Sequence, residues 1–313
     1  MKIMKTPILL IVFNRLSVVQ KVFEQIRKYQ PHQLFIASDG PRKGNVTDGV
    51  KCQEVRKWLI SNIDWECELH TLFRDENVGC GYGPSSAISW FFEHVEMGVI
   101  LEDDCVPSLQ FFDFAQEMLV RYMNNDNIMA VNGSNFQEQK WGDSSYYFSM
   151  QNGPFCAWAT WKRAWKNFDF NLHGFSISKL RHIMRYYRIT KAERKWWISI
   201  YKDLKNGKFG TSSWDYQYIF AIWKCKGISI VPNVNLTTNI GFGIDATHTI
   251  NPNDVTANRP VENIYPLVHP ESIDICKEAD LYYHNLYYAP HQAKVSLIKK
   301  IKRFIKKIIR YGK

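Results

Sequence analysis

Apolar and polar positions fall into blocks along the first third of the chain. TPILLIVFNR (6–15) is apolar almost throughout and contains β-branched residues, the pattern of a strand buried on both faces. SVVQKVFEQIRKY (17–29) then spaces Val18, Val19, Val22, Phe23 and Ile26 at helical intervals, with Ser17 as a candidate N-cap. QLFIASDGPR (33–42) reads as a second strand ending in a Ser38-Asp39-Gly40-Pro41 turn. A helix is predicted near 49–61 and a strand near 67–73. The loop NVGCGYGP (77–84) leads into a helix over 85–95. Another apolar run, Val99-Ile100-Leu101, stops at Glu102-Asp103-Asp104, and a helix over 109–123 follows.

Strands alternating with helices predict an α/β chain with a doubly wound, mostly parallel sheet. Right-handed crossovers would bring the strand C-termini to one edge, where such sheets bind ligands. Arg15, Asp39, Arg74 and the acids 102–104 all stand just past predicted strand ends, so they should converge. Further on, 128–175 is rich in strands and loops, and 176–207 reads as helical. Residues 214–227 read as a helix, followed by the strand ISIVPNVN (228–235) and a glycine-rich loop, NIGFGIDATHT (239–249). Residues 251–290 show little periodicity, and no internal repeat is visible.

With 313 residues the chain can bury a large core. Its 11 Trp and 16 Tyr suit either that core or a sugar-binding surface. No stretch approaches the roughly 18 uninterrupted apolar residues of a membrane span. MKIMKTPILLIVFNR imitates a leader peptide but lacks a small-residue cleavage site, so it is expected to be the first strand. Seven scattered Cys without a CxxC pair suggest free thiols in a reducing compartment.

The formal charge of +10 is localised. KVSLIKKIKRFIKKIIRYGK (294–313) holds nine Lys/Arg and no acid, which accounts for nine of the ten net charges. Leu297, Ile298, Ile301, Phe304, Ile305, Ile308 and Ile309 recur there at helical spacing, with the basic residues on the other face. That is the pattern of an interfacial helix on an anionic membrane. A packed terminal helix and a nucleic-acid contact are the alternatives. The nearly neutral body argues against a nucleic-acid partner. The expected location is cytoplasmic, peripheral on the inner face of the cytoplasmic membrane.

Three consecutive acids repel one another unless something positive holds them. They could cap the following helix through its dipole. Alternatively, they could hold a hard divalent cation, Mn²⁺ or Mg²⁺, which takes carboxylate oxygens and leaves positions open for phosphates.

VFNR (12–15), ASDG (37–40), ILEDDCVPSLQFF (100–112), WATWKRAW (158–165) and SSWDYQY (212–218), in this order, resemble the nucleotide-sugar glycosyltransferases of the GT-A fold. The likeness is to the inverting family of animal N-acetylglucosaminyltransferase I and its bacterial family-2-type relatives, and it spans about 6–245. It implies a Rossmann-like GT-A domain and a UDP-sugar donor. It also implies that Asp104 ligates the metal, Asp103 holds the ribose or a metal-bound water, and Glu102 reaches the sugar or orders the loop. Asp39 would accept from uracil and Arg15 would sit near the base or diphosphate, with Arg74 a further donor-binding candidate. Asp215 would be the catalytic base, with a helix N-cap as the alternative reading. The loop 239–249 has no obvious counterpart in the animal enzymes. Its His248 is a candidate metal or phosphate ligand.

The expected halves are 1–127, binding the nucleotide sugar, and 128–250, binding the acceptor. An irregular extension (251–293) and the basic helix (294–313) would follow. The implied reaction is sugar transfer to a glycan or lipid-linked oligosaccharide in bacterial cell-surface polysaccharide synthesis. A non-catalytic nucleotide- or carbohydrate-binding protein of the same fold is one rival. A nucleotidyltransferase is another, but it calls for a glycine-rich phosphate loop after the first strand, where this chain has FNRLS.

Overall fold

The computed structural model describes residues 5–153, 156–209, 213–242 and 254–290. In chain order the first elements are β1 (Ile8–Val12), α1 (Leu16–Tyr29), β2 (Gln33–Ser38), α2 (Asp48–Ser61), β3 (Glu68–Phe73), α3 (Tyr82–His94) and β4 (Met97–Glu102). They are followed by β5 (Cys105–Pro107), α4 (Leu109–Arg121), β6 (Ile128–Asn132), β7 (Tyr146–Ser149), β8 (Ala157–Trp161) and α5 (Lys162–Trp165). The remainder comprises α6 (Ile177–Tyr186), α7 (Lys191–Lys205), α8 (Asp215–Lys224), β9 (Ile228–Pro232), β10 (Thr237–Asn239), α9 (Lys277–Tyr283) and a π-helical turn, His284–Tyr288.

Eight strands form one sheet in the order β3-β2-β1-β4-β8-β6-β9-β7. All run the same way except β8 and β7, which are antiparallel to their neighbours. This is the mostly parallel, doubly wound α/β sheet expected from the block pattern. Ile8, Leu9 and Leu10 of the central β1 have no solvent exposure. Burial of each such side chain contributes about 1.5–3 kcal/mol, so an apolar run of this kind belongs mid-sheet. The β1→β2→β3 connections move outward through α1 and α2, and α3 carries the chain back past β1 to β4. Right-handed crossovers then put α1 and α2 on one face and α3 on the other. In agreement, α1 packs on α2 and α4, while α3 packs on α5. The order reverses between β1 and β4, whose C-terminal ends form the crevice.

The tryptophan-rich segments fill the core: Trp158 stacks on Trp214 with centroids 5.7 Å apart, and Trp165 on Phe168 at 4.4 Å. Several local expectations differ from the structure. Helix α1 begins at Leu16 with Arg15, not Ser17, at the N-cap position. Helix α3 begins at Tyr82, three residues earlier than expected, so Tyr82-Gly83-Pro84 of the glycine-rich loop belong to its first turn. The acids 102–104 do not cap α4: Ser108 does, accepting from Phe111 N at 3.3 Å. Residues 277–288, without visible periodicity, form α9 and the π-helical turn.

Candidate active site

The acids occupy a turn clamped at both ends. Glu102 ends β4 in register with Ile11 of β1. Cys105 opens β5, which pairs antiparallel with β10 and sets Asn239 opposite Cys105. Ile240 N donates to Asp104 O at 2.9 Å, and Gly241 N to Asn239 Oδ1 at 2.8 Å. A side-chain carbon on Gly241 would fall on Asp104 Oδ2, so only glycine fits there. The glycine-rich segment after β10 thus begins against the acid turn.

Arg15, at the end of the neighbouring β1, answers the acids directly. Its guanidinium pairs with Asp103 Oδ1 and with Asp104 Oδ2, the latter at 2.8 Å. Burial works against the charge on Arg15, but Asp103 and Asp104 outweigh it and hold its pKa above the ordinary value. One cation does not balance the cluster. Burial raises Glu102 to about 8, with Asp104, Asp103 and Asp215 adding to the shift. Burial also raises Asp103, against the pull of Arg15. Asp103 Oδ2 is buried with no hydrogen-bond partner among the described residues. Such an orphaned carboxylate oxygen is costly unless a ligand satisfies it.

Glu102, Asp104 and Cys105 bring ligand atoms within 4.8 Å of one another. The two carboxylates fit a hard divalent cation. Cys105 does not: its thiol donates to Asp104 Oδ1 at 3.2 Å, and burial pushes its pKa well up.

Asp39, past β2, is occupied differently. Oδ1 accepts from Gly40 N (2.9 Å) and Val78 N (3.1 Å), and Oδ2 from Gly79 N (3.3 Å). It therefore fixes the turn that leads into α3. Arg56, which sequence reading passed over, reinforces this corner. It donates to Ser38 Oγ (2.9 Å), Asp39 O (3.0 Å) and Arg74 O (2.6 Å), joining the ends of β2 and β3. Asp48 does the same for β1, accepting from Asn14 Nδ2 at 2.8 Å and from Arg42 Nε at 2.6 Å. Hydrogen bonding from Arg42 holds its carboxyl down at about 2.

Asp215 is the first residue of α8, with Trp214 at the N-cap position. Ser213 Oγ donates to Asp215 Oδ1 at 3.0 Å. Burial raises the Asp215 pKa, while Ser213 and nearby backbone N–H groups favour the ionised form. Its charge acts on Glu102. Burial also raises the Cys80 thiol, and the charges of Glu102, Asp39 and Asp215 add to that shift. Cys80, within the 78–82 turn, thus lies in the field of all three carboxylates.

Of the sequence-predicted residues, Arg15, Asp103 and Asp104 meet directly, with Glu102 and Asp215 inside the same electrostatic cluster. Arg74 instead turns to α3, donating to Ser86 Oγ at 2.9 Å. His248 lies outside the described residues. Cys105, Arg56 and Gly241 were not singled out. Only Gly241 left a signal, as part of a glycine-rich stretch.

No protein-family model and no curated protein matches the chain. Solved structures with similar parts include the mannosyltransferase PcManGT from Pyrobaculum calidifontis in complex with GDP-Man and Mn²⁺. It is 13% identical, with 44% of this chain covering 38% of that one at a TM-score of 0.31. A cytidylyltransferase from Leptospira borgpetersenii is 11% identical, over 58% and 70% of the two chains, at 0.34. HddC from Yersinia pseudotuberculosis is 8% identical, over 56% and 86%, at 0.32. At these scores the likenesses carry no functional argument, and the reading of function rests on the site itself.

Proposed function

We propose that the chain is a metal-dependent, inverting glycosyltransferase that moves a sugar from a nucleotide donor, a UDP-sugar, to a glycan acceptor. The observation that carries this reading is a carboxylate cluster at the β1/β4 switch point that Arg15 alone does not neutralise, with Asp215 beside it. Asp103 Oδ2 has no hydrogen-bond partner among the described residues, and Glu102 and Asp104 offer hard oxygen ligands. Those two side chains would hold Mn²⁺ or Mg²⁺, which when bound supplies positive charge to a departing diphosphate.

The chain's own residues supply the rest. Arg15 orients Asp103 and Asp104 through its two ion pairs. The turn held by Asp39 and Arg56 offers a rigid wall for the donor. Asp215 takes the proton from an acceptor hydroxyl as that oxygen attacks the anomeric carbon and the bond to the diphosphate breaks. Its raised pKa suits proton abstraction better than that of an ordinary carboxylate. In the same reading, residues 294–313 hold the enzyme to an anionic membrane surface near a lipid-linked acceptor, as suits surface-polysaccharide synthesis.

Asp215→Asn tests the assignment. The variant should bind nucleotide as the wild type does and lose on the order of 10²–10⁴-fold in turnover. Turnover is read as release of nucleoside diphosphate from nucleotide sugars with Mn²⁺ and a panel of glycosides. Unchanged turnover would remove Asp215 as base.

A further inference from the structure

A cavity of about 250 Å³ lies close to this site without including the acids. Its apolar walls come from Phe170, Leu172, Leu204 and Phe209, and its polar groups include the amides of Asn171 and Gln217. Lys205 also borders it, but its ammonium donates to Asn171 O at 3.1 Å and Leu172 O at 3.4 Å, so its charge is committed to the wall.

Two contacts fix where the cavity stands. At one side, Gln217 Oε1 and Asp215 Oδ1 both face Ser213 Oγ, at 3.2 and 3.0 Å. The serine has one proton for two acceptors, so the cavity and Asp215 share a hydrogen-bonding group. At the other side, Phe170 meets Tyr82 edge to face, with centroids 5.9 Å apart. Tyr82 opens α3, at the end of the turn that Asp39 holds, and is 50% exposed. One wall of the cavity therefore packs on Tyr82 of α3, and the other shares Ser213 with Asp215.

The lining also restricts the occupant. Aromatic and aliphatic walls take an apolar face. The Gln217 amide is held by Ser213, donating to its O at 2.9 Å and accepting from its Oγ at 3.2 Å, whereas the exposed Asn171 amide can both donate and accept. This suits a neutral ring with hydroxyls around its edge and C–H bonds on its face. Pockets for drug-sized ligands run to roughly 300–1,000 Å³, so this one fits a single ring. We propose that the cavity is a subsite for one neutral pyranose ring of the acceptor glycan. Its role in transfer rests on the glycosyltransferase reading, whereas its sugar-binding chemistry does not.

The test uses the full chain and the methyl pyranosides of glucose, galactose, mannose and N-acetylglucosamine, with binding read by saturation-transfer NMR. At least one should bind, with transfer to its ring protons. Asn171 is exposed, so Asn171→Trp should fill the mouth without unfolding the chain, as a melting curve would show, and weaken that binding at least tenfold. Phe170→Ala should weaken it too. The signal should persist with saturating UDP-glucose and Mn²⁺. Displacement by UDP-glucose but not by UDP would make this the donor-sugar pocket and overturn the acceptor assignment. No binding by any of the four, or binding undiminished in Asn171→Trp, would overturn the subsite itself. Nucleotide titration of the same samples keeps the two readings apart. Nucleotide binding without glycoside binding removes only the subsite. Glycoside binding without nucleotide binding leaves a sugar site and removes the donor reading.

Discussion

Arg15 sets the electrostatic balance of the acid turn. Its side chain is mostly buried and pairs with both Asp103 and Asp104. Removing one partner of a buried ion pair costs about 3–5 kcal/mol, because the other charge stays buried and uncompensated. Arg15→Leu should therefore lower the melting temperature, and millimolar Mn²⁺ should recover more of it than it adds to the wild type, since a cation would replace the lost one. An unchanged melting temperature would show that the pair contributes little, and an equal Mn²⁺ effect on both proteins would separate the metal from the acids. Arg15, Asp39 and the acids were legible because each stands where an apolar strand stops. Arg56 and Cys105 were not. Arg56 acts from within α2 on the ends of β2 and β3, and Cys105 is an apolar-looking strand residue whose thiol meets Asp104; neither contact leaves a period in the sequence. Arg74 shows the limit of the strand-end argument: it too follows a strand, yet its guanidinium turns to Ser86.

Long elements with a full period were readable, as late as α8 and β9, and short ones were not. Strands β5 and β10 have three residues each, too few to show alternation, yet they clamp the acid turn. Helix α9 has seven residues and runs into a π-helical turn, which breaks the 3.6-residue repeat. Its anchor is polar. Asp280 accepts from Ser149 Oγ and from Met150 N at 3.1 Å, and burial raises its carboxyl to about 7, with the charge of Glu193 adding to the shift. His284, one turn on, is buried and pushed the other way, toward the neutral ring. An unfolded aspartate titrates near 3.9, so between about pH 4 and 7 the folded chain holds a proton that the unfolded chain has released. Stability from this group is thus full at low pH and falls by up to about 1.4 kcal/mol per unit as pH rises through that window. Asp280→Asn lacks the titration. Urea midpoints should shift in favour of the variant between pH 5 and 7.5, and a difference independent of pH would contradict this account of the anchor.

The whole chain divides into a sheet that concentrates acid at one edge and a terminal segment that concentrates base. The sheet was legible because parallel strands buried on both faces must be apolar throughout. The antiparallel insertion of β8 between β4 and β6 was not, because strand order depends on packing between segments far apart in sequence. That insertion places Ala157 of β8 opposite Leu101, so Cys156 reaches the same edge as the acids. The basic segment carries its own prediction. Deleting 294–313 should release the protein from vesicles containing phosphatidylserine in a sedimentation assay while leaving nucleotide binding intact, and unchanged sedimentation would contradict a membrane role. With that deletion in place, the acid edge can be probed without interference from the tail. Calorimetric titration with UDP, GDP, CDP and dTDP, each with and without Mn²⁺, should show metal-dependent binding of one nucleotide above the others, UDP by this account, and Asp104→Ala should abolish it. Absence of nucleotide binding in the presence of Mn²⁺, or binding that survives Asp104→Ala, would contradict the assignment of the acid turn.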